Sequence, residues 1–203
     1  MLLRFKLSPV RITKLLPVLV CSLLLLACTG VPLRAIPKLL QMNSALMDAN
    51  PADIMVALQV DSRMAPPPGA VPLLMIKVAP REAGGFEVID RKLPLQLAVA
   101  SVATLGLDAP PAGRRWLIYS LPVATQTELK RIQDFIKTAR ANPQVKGGGS
   151  LSVGVEQASL VSSDPALAHT RWNTWLQMVR KDGFFEVWSG TPAQLQKMAT
   201  EAH

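Results

Sequence analysis

Histidine, cysteine and tyrosine are scarce in this chain of 203 residues, which contains two histidines, two cysteines and one tyrosine. Aromatic residues (Phe, Trp and Tyr) make up only 5% of it. The histidines are His169 and the C-terminal His203, and no Cys-x-x-Cys or His-Glu-x-x-His pattern is present. These absences exclude a multi-histidine or multi-cysteine metal site, and no calcium-type loop rich in Asp and Asn occurs. Gly147–Ser150 lacks the Lys-Ser/Thr ending of a phosphate-binding loop. The sequence predicts no metal and no cofactor.

The local signatures of common catalytic sites are also missing. Ser162–Asp164 and His169 could supply a nucleophile, an acid and a base, but no Gly-x-Ser-x-Gly turn surrounds the serines. Paired carboxylates for glycan hydrolysis would have to come from residues such as Glu87, Glu156 and Glu186, and no spacing selects a pair. We therefore expect no catalytic residues and no enzymatic activity.

The first 27 residues have the composition of an export signal. They contain four basic residues and no acidic residue, and they end in the apolar run Leu15–Ala27. That run is shorter than the about 20 apolar residues that span a bilayer, and the basic flank precedes it, as in a secretory leader. An uncleaved anchor helix is the alternative. The basic residues are Arg4, Lys6, Arg11 and Lys14.

The leader ends in a tetrapeptide that favours cleavage and lipidation. Leu25-Leu26-Ala27-Cys28 resembles the lipobox of bacterial lipoprotein precursors, although Leu26 is bulkier than the residue usual at its position. The resemblance covers about residues 1–29, and the rest of the chain matches no motif of a named family. It implies cleavage between Ala27 and Cys28, a diacylglycerol thioether on Cys28 and acylation, for example by palmitate, of the new amino group. The lipid would hold the domain on a membrane.

The same resemblance sets the expected domain boundaries and location. Residues 1–27 would be the cleaved signal peptide, 28–35 the lipidated N-terminus and tether, and 36–203 a single periplasmic domain. Lipoproteins kept at the inner membrane tend to have Asp after the lipidated cysteine, and this chain has Thr29. The resemblance therefore implies an outer-membrane protein that faces the periplasm.

Removing the leader changes how the basic character of the chain is interpreted. The formal charge of the whole chain is +8, but the mature part keeps 18 basic and 14 acidic residues, a charge of +4. An exported protein seldom meets nucleic acid, so we expect no nucleic-acid partner. With both cysteines assigned to leader and lipid, no disulfide is expected.

Alternating apolar residues predict about seven strands, which turn-rich segments separate. Helices are too few to connect parallel strands. The sequence therefore predicts an α+β fold, mainly antiparallel and sandwich-like, with an inserted amphipathic helix and a short C-terminal helix. The predicted strands are 54–60, 73–78, 86–89, 93–99, 116–121, 151–155, 171–180 and 184–189.

Three segments have the apolar period of helices. Pro37 would begin the first, whose apolar band includes Leu46 and Met47 and packs on the domain or lies on the lipid surface. Thr125 and Glu128 form a capping-box pattern that predicts a helix ending at Asn142-Pro143. Thr191 and Pro192 predict a cap and first turn for the C-terminal helix, with Leu195, Met198 and Ala199 inward.

Large aromatic residues concentrate in the last predicted hairpin. A two-residue turn at Asp182-Gly183 would place Gln177 opposite Trp188. Trp175 and Trp188 would then share a face near Arg171 and Glu186, as a partly exposed binding patch, while Trp172 joins the core with Leu176, Met178, Phe185 and Val187. Helices covering both faces are the alternative.

These observations favour one function and leave two others open. The first is a lipid-anchored, non-catalytic envelope protein that binds or scaffolds a partner protein at the periplasmic face of the outer membrane. The second is a lipoprotein that binds peptidoglycan or another glycan through the aromatic patch. An unrecognised hydrolase is the third.

Overall fold

A computed structural model describes residues 45–82, 85–98, 107–142 and 148–201. The predictions for the leader, Ala27, Cys28, the tether and the start of the first helix lie outside the described residues. All described residues belong to one compact unit, Val31–His203. Among the described residues, no helix combines the length and the apolar character of a membrane-spanning segment.

In the part of the chain that the structure describes, eight strands form two antiparallel sheets, which confirms the predicted α+β, sandwich-like fold. The strands are β1 (Met55–Asp61), β2 (Leu73–Pro80), β3 (Ile89–Pro94), β4 (Gln96–Leu97), β5 (Arg114–Ser120), β6 (Gly149–Glu156), β7 (Trp172–Gln177) and β8 (Phe185–Gly190). The larger sheet has the order β4-β5-β1-β7-β8, and the smaller sheet has the order β3-β2-β6.

The central strand β1 is buried on both faces. Val56, Leu58 and Val60 point into the main core between the sheets, as alternation along a strand requires. Met55 and Ala57 are also buried, in a second cluster on the outer face of the larger sheet. The larger sheet therefore has an inner face against the smaller sheet and an outer face with its own apolar packing.

The chain passes from one sheet to the other at Leu95. The sequence predicts one strand over 93–99, but β3 ends at Pro94 as an edge of the smaller sheet and β4 begins at Gln96 as an edge of the larger one. Pro94 has no N–H to donate, so the predicted edge position is confirmed. The strand predicted over 86–89 is wrong, because regular pairing begins only at Ile89.

The long helix α1 (Val123–Ala141) packs on the core through Leu129, Ile132 and Ile136. It ends just before Asn142, as predicted, but the predicted capping box is wrong. The helix begins at Val123, so Thr125 lies inside its first turn and donates its hydroxyl to the Pro94 carbonyl oxygen at 3.0 Å.

The first predicted helix is described only over 45–48, where Leu46 and Met47 are buried in the main core. Its C-terminal end is bound by Gln133 of α1. The Gln133 amide donates to the carbonyl oxygens of Leu46, at 2.6 Å, and Ala49, at 2.9 Å. The described part of this helix thus packs on the domain.

The C-terminal helix α2 (Pro192–Glu201) begins as predicted. The Gln194 N–H donates to the Thr191 hydroxyl at 3.3 Å, and the Gln194 side chain accepts from the Thr191 N–H at 2.9 Å. These reciprocal bonds form a capping box. Leu195 is buried as expected, whereas Met198 is half exposed, so its predicted inward position is wrong.

The hairpin of β7 and β8 exists, but its predicted register is wrong. A single 3-10 turn, Arg180–Asp182, precedes Gly183, whose φ of +65° is in the region that favours glycine. The connection is therefore longer than two residues and shifts the pairing. A bulge between Thr174 and Trp175 shifts it again, so that Trp188 lies opposite Thr174.

Candidate functional site

The structure brings three of the four predicted patch residues to one face. Trp175 lies on the outer face of the larger sheet, and Glu186 is its direct cross-strand partner. Arg171 is exposed and lies just before β7. Its carbonyl oxygen accepts a hydrogen bond from the Arg114 side chain on the same face. Trp188 is not part of this face, because its partner Thr174 points into the main core and its own ring packs there. The prediction that Trp175 and Trp188 share a face is wrong.

An aromatic pair forms the apolar half of the outer face. The rings of Trp175 on β7 and Trp116 on β5 meet edge to face, with centroids 5.9 Å apart and an interplanar angle of 85°. Strand β1 lies between their two strands, with Gln59 opposite Trp116 and Ala57 opposite Trp175. Both rings are half buried. The pair is therefore a packed unit with a partly exposed rim.

The two indole N–H groups are in different situations. The Trp116 Nε1 donates to the Asp108 carbonyl oxygen at 2.9 Å, which ties the ring to the loop before β5. The Trp175 Nε1 is buried and has no hydrogen-bond partner within the described ranges. Trp175 is thus held by packing against Trp116 and the neighbouring apolar residues Met55, Ala57 and Phe184.

Arg114 organises the polar half of the outer face. Its Nη2 donates to the Arg171 carbonyl oxygen and to Asn173 Oδ1, each at 3.0 Å, and to the Gln59 carbonyl oxygen. Burial lowers the pKa of the Arg114 guanidinium, and the charge of Arg171 lowers it further, while the carboxylates of Asp61 and Glu186 oppose the change. An arginine remains protonated in such surroundings. Arg114 therefore supplies a fixed positive charge.

Asn173 connects this charge to a buried carboxylate. Its side-chain amide nitrogen donates to Glu186 Oε1 and to the Ser189 hydroxyl, the latter at 3.0 Å. Glu186 is only 7% exposed. A buried charge is stable when it is hydrogen-bonded and lies near an opposite charge. Here Asn173 donates the hydrogen bond, and Arg114 supplies a positive charge that interacts electrostatically with Glu186. We call this set, Arg114, Trp116, Arg171, Asn173, Trp175 and Glu186, the Trp175 surface.

Three members of the Trp175 surface were not predicted from the sequence. Arg114 and Trp116 lie 57 and 55 residues before Arg171, and only the pairing of β1 with both β5 and β7 brings them together. Asn173 carries no motif of its own. The alternation of β5 was the available signal, because it puts Arg114, Trp116 and Ile118 on one face.

Trp188 borders a cavity between the sheets. The cavity has a volume of about 230 Å³ and lies where β6, β8 and α2 meet. The Trp188 ring lies against Gly190, where an added Cβ would come within 2.3 Å of Cζ2. This close approach leaves no room for a side chain at position 190. The apolar lining includes Leu74, Val153, Val155, Leu176 and Leu195.

The residues considered for nucleophilic catalysis serve local turns. The Asp164 carboxylate accepts from the Ala166 N–H at 2.9 Å and caps a short 3-10 helix, while the Ser162 hydroxyl accepts from the Asp164 N–H at 3.2 Å. His169 is exposed on the following segment. Across the described ranges, no group of three or more His, Cys, Asp or Glu side chains could hold a metal ion.

Comparisons with known proteins found no matching protein-family profile, no matching curated protein and no matching solved structure.

Proposed function

We propose that this protein is a lipid-anchored, non-catalytic envelope protein that binds or scaffolds a partner protein at the periplasmic face of the outer membrane. The proposed anchor is Cys28, because Leu25–Cys28 resembles a lipobox. The proposed partner-binding site is the Trp175 surface. The observation that supports it is the Trp116–Trp175 ring pair, half exposed beside the exposed Arg171.

The composition of the Trp175 surface suits a protein partner. Tryptophan, tyrosine and arginine are enriched among the residues that dominate binding energies at protein interfaces. Trp175 offers an apolar rim, and Arg171 adds a positive charge at its border. The partner segment would therefore combine an apolar side chain with a carboxylate.

The glycan alternative has less support from this geometry. It rests on Trp175 and Trp188 forming a sugar-binding platform, but these two residues lie on opposite faces of the larger sheet. Trp116 meets Trp175 edge to face, so the pair offers no two parallel ring faces for stacking. Retention of the purified protein on isolated peptidoglycan would nevertheless favour that alternative.

The anchor can be tested by mass and membrane fractionation of the tagged full chain in a double-membraned bacterium. We expect wild type to have the mass of a chain cleaved before Cys28 and acylated there, and to fractionate with the outer membrane. Cys28→Ala should remain unprocessed and lose the lipid mass. Cys21→Ala is the matched control, because Cys21 lies in the discarded leader and should have no effect. An unprocessed or soluble wild type would contradict the proposal.

The partner site can be tested by photo-crosslinking in the same cells. A photoreactive amino acid at position 171 should yield a discrete adduct with one envelope protein. The same amino acid at position 181, which is exposed near the opposite end of the hairpin, should not. The adduct should persist in Cys21→Ala and disappear in Cys28→Ala, since the scaffold works only at the membrane. Equal adducts from both positions would refute the proposed surface.

A further inference from the structure

A larger cavity, of about 460 Å³, opens between the C-terminal half of α1 and the end of the smaller sheet. A volume in this range is typical of small-molecule sites, which are mostly apolar with a few polar groups at defined positions. None of the residues of the Trp175 surface lines it. The apolar lining consists of Val78, Phe86, Phe135, Ile136, Ala139 and Leu151.

Two phenylalanine rings form one wall of this cavity. Phe86 and Phe135 meet edge to face, with centroids 5.9 Å apart. Phe135 is 37% exposed, although it belongs to the apolar stripe of α1. Gly149 permits the close approach of Phe86 to β6, because a Cβ at position 149 would lie 2.9 Å from the Phe86 Cζ. The wall is thus an accessible apolar surface and not a filled part of the core.

The polar part of the lining is positively charged. Arg81 and Arg140 both line the cavity, and both are exposed. Neither side chain makes an ion pair or a hydrogen bond with any residue that the structure describes. In contrast, Lys137, which lies on α1 together with Arg140, forms an ion pair with Asp48 at 3.2 Å. The lining contains no acidic residue among the described positions, so an anion would meet no like charge there.

We propose that this cavity binds a fatty acid, with its alkyl chain along the apolar wall and its carboxylate between Arg81 and Arg140. The apolar wall favours a hydrocarbon chain over a polar ligand, since burying apolar surface is favourable and burying unpaired polar groups is costly. The two arginines favour an anionic head group, because a guanidinium binds a carboxylate through parallel hydrogen bonds. This site is independent of the proposed partner-binding surface.

The test is photo-labelling of the full chain in phosphatidylcholine nanodiscs. The probe is decanoate with a diazirine at the end of its chain, and labelled peptides are identified by mass spectrometry. Label should map to the segments 135–140 and 149–151, which line the cavity. Unmodified decanoate should compete, and decanol, which has the same chain without the charge, should compete much less. Label mapping elsewhere, or equal competition by decanol, would overturn the proposal.

Charge and shape can be tested separately by substitution. Arg81→Gln with Arg140→Gln should lower the labelling roughly 2- to 30-fold, as expected for two exposed ion pairs. Lys77→Gln with Lys92→Gln is the matched control, because it removes two exposed positive charges from the opposite side of the same sheet and should leave labelling unchanged. Ala139→Phe keeps the charges and fills the cavity, so it should abolish labelling at unchanged Tm. Full labelling of Ala139→Phe would refute the site.

Discussion

Tyr119 is the only tyrosine of the chain, and its side chain is 2% exposed in the main core. Burial raises the pKa of its hydroxyl, and the positive charge of Arg115 opposes the rise in part. Because the chain has one tyrosine, the tyrosinate signal comes from Tyr119 alone, and its pKa shows whether this position of the core is buried.

We predict that Tyr119 in the folded chain titrates above the ordinary value of about 10. Since the pKa of Tyr119 is higher in the folded chain than in the unfolded chain, the stabilising contribution of the neutral hydroxyl is fully present below the unfolded value of about 10. The contribution is lost as the pH rises through the folded pKa. The measurement is tyrosinate absorbance against pH, with the chain in urea as the reference. Identical titration curves with and without urea would show that Tyr119 is not buried.

Asp61 illustrates the opposite shift at the end of β1. Its carboxylate accepts hydrogen bonds from the Arg63 side chain, at 2.9 Å, and from the Arg63 N–H, at 3.0 Å. The Arg63 side chain is the main cause, and its N–H the next, of a pKa lowered to about 2. The turn after β1 is therefore closed by an ionised carboxylate.

We predict that NMR titration of the Asp61 carboxyl carbon gives a pKa near 2, and that Arg63→Gln moves it toward the ordinary value of 3.8. Because the folded pKa is the lower one, ionised Asp61 stabilises the fold above 3.8, and this contribution is lost as the pH falls toward 2. Lys181→Gln, at a distant exposed position, should leave the Asp61 titration unchanged. A normal pKa in wild type would contradict the observed contact.

At the scale of elements, α1 is joined to the helical turn at 45–48 by one buried side chain. Gln133 is 2% exposed, and its amide satisfies two main-chain carbonyl groups at the end of that turn. Carbonyl groups at a helix end have no intrahelical donor, so they depend on such partners. The junction of the two helices therefore depends on a polar contact inside the apolar core.

We predict that Gln133→Met lowers the free energy of unfolding by about 2 kcal/mol, because it leaves two buried carbonyl groups without a donor. Urea denaturation followed by circular dichroism provides the measurement. Thr138→Met, at an exposed position of the same helix, should change stability by less than about 0.5 kcal/mol. Equal stability of both variants would mean that the Gln133 contacts contribute little.

How well the sequence predicts the structure differs from one feature of an element to another. The period of 3.6 residues correctly predicts where α1 runs and ends, but Thr125 bonds to Pro94 instead of capping the helix. The period of two residues predicts β1, β2 and β6 within one or two residues. Local patterns therefore suffice for elements whose apolar face is continuous.

The hairpin and the candidate site were predicted only in part. Trp172 is in the core, and Glu186 and Trp175 are neighbours, as expected. The face of Trp188 could not be predicted, because alternation assumes regular pairing and the bulge at Thr174 interrupts it. Arg114 could not be assigned to the site, because its contacts with Gln59 and Asn173 depend on the order of the strands in the sheet.

At the scale of the whole molecule, one main core joins the two sheets and α1. Leu58 is fully buried at its centre, on the strand that pairs with both β5 and β7. Leu97, on the two-residue strand β4, is 62% exposed. These two leucines allow the contribution of the core to be separated from a general effect of losing a leucine.

We predict that Leu58→Ala lowers the free energy of unfolding by about 2–5 kcal/mol, from lost burial and the cavity left behind. Leu97→Ala should change it by less than about 0.5 kcal/mol. Tryptophan fluorescence and circular dichroism should give coincident urea transitions, as expected for one cooperative unit. Separate transitions would show that the two sheets unfold independently, and comparable effects of both substitutions would contradict the assigned core.

The two edges of the smaller sheet differ in how they could meet another chain. Strand β3 carries the charged run Asp90-Arg91-Lys92 and ends in Pro94. Arg91 lies opposite Ile76 on the inner side of the sheet, where it binds Glu128 of α1. Charges and proline on an edge strand oppose pairing with a second sheet. Strand β6, with Ser150, Ser152 and Gly154 on its exposed positions, carries no such block before Glu156. Aggregation by sheet extension would therefore begin at β6, and a lysine at position 152 would suppress it.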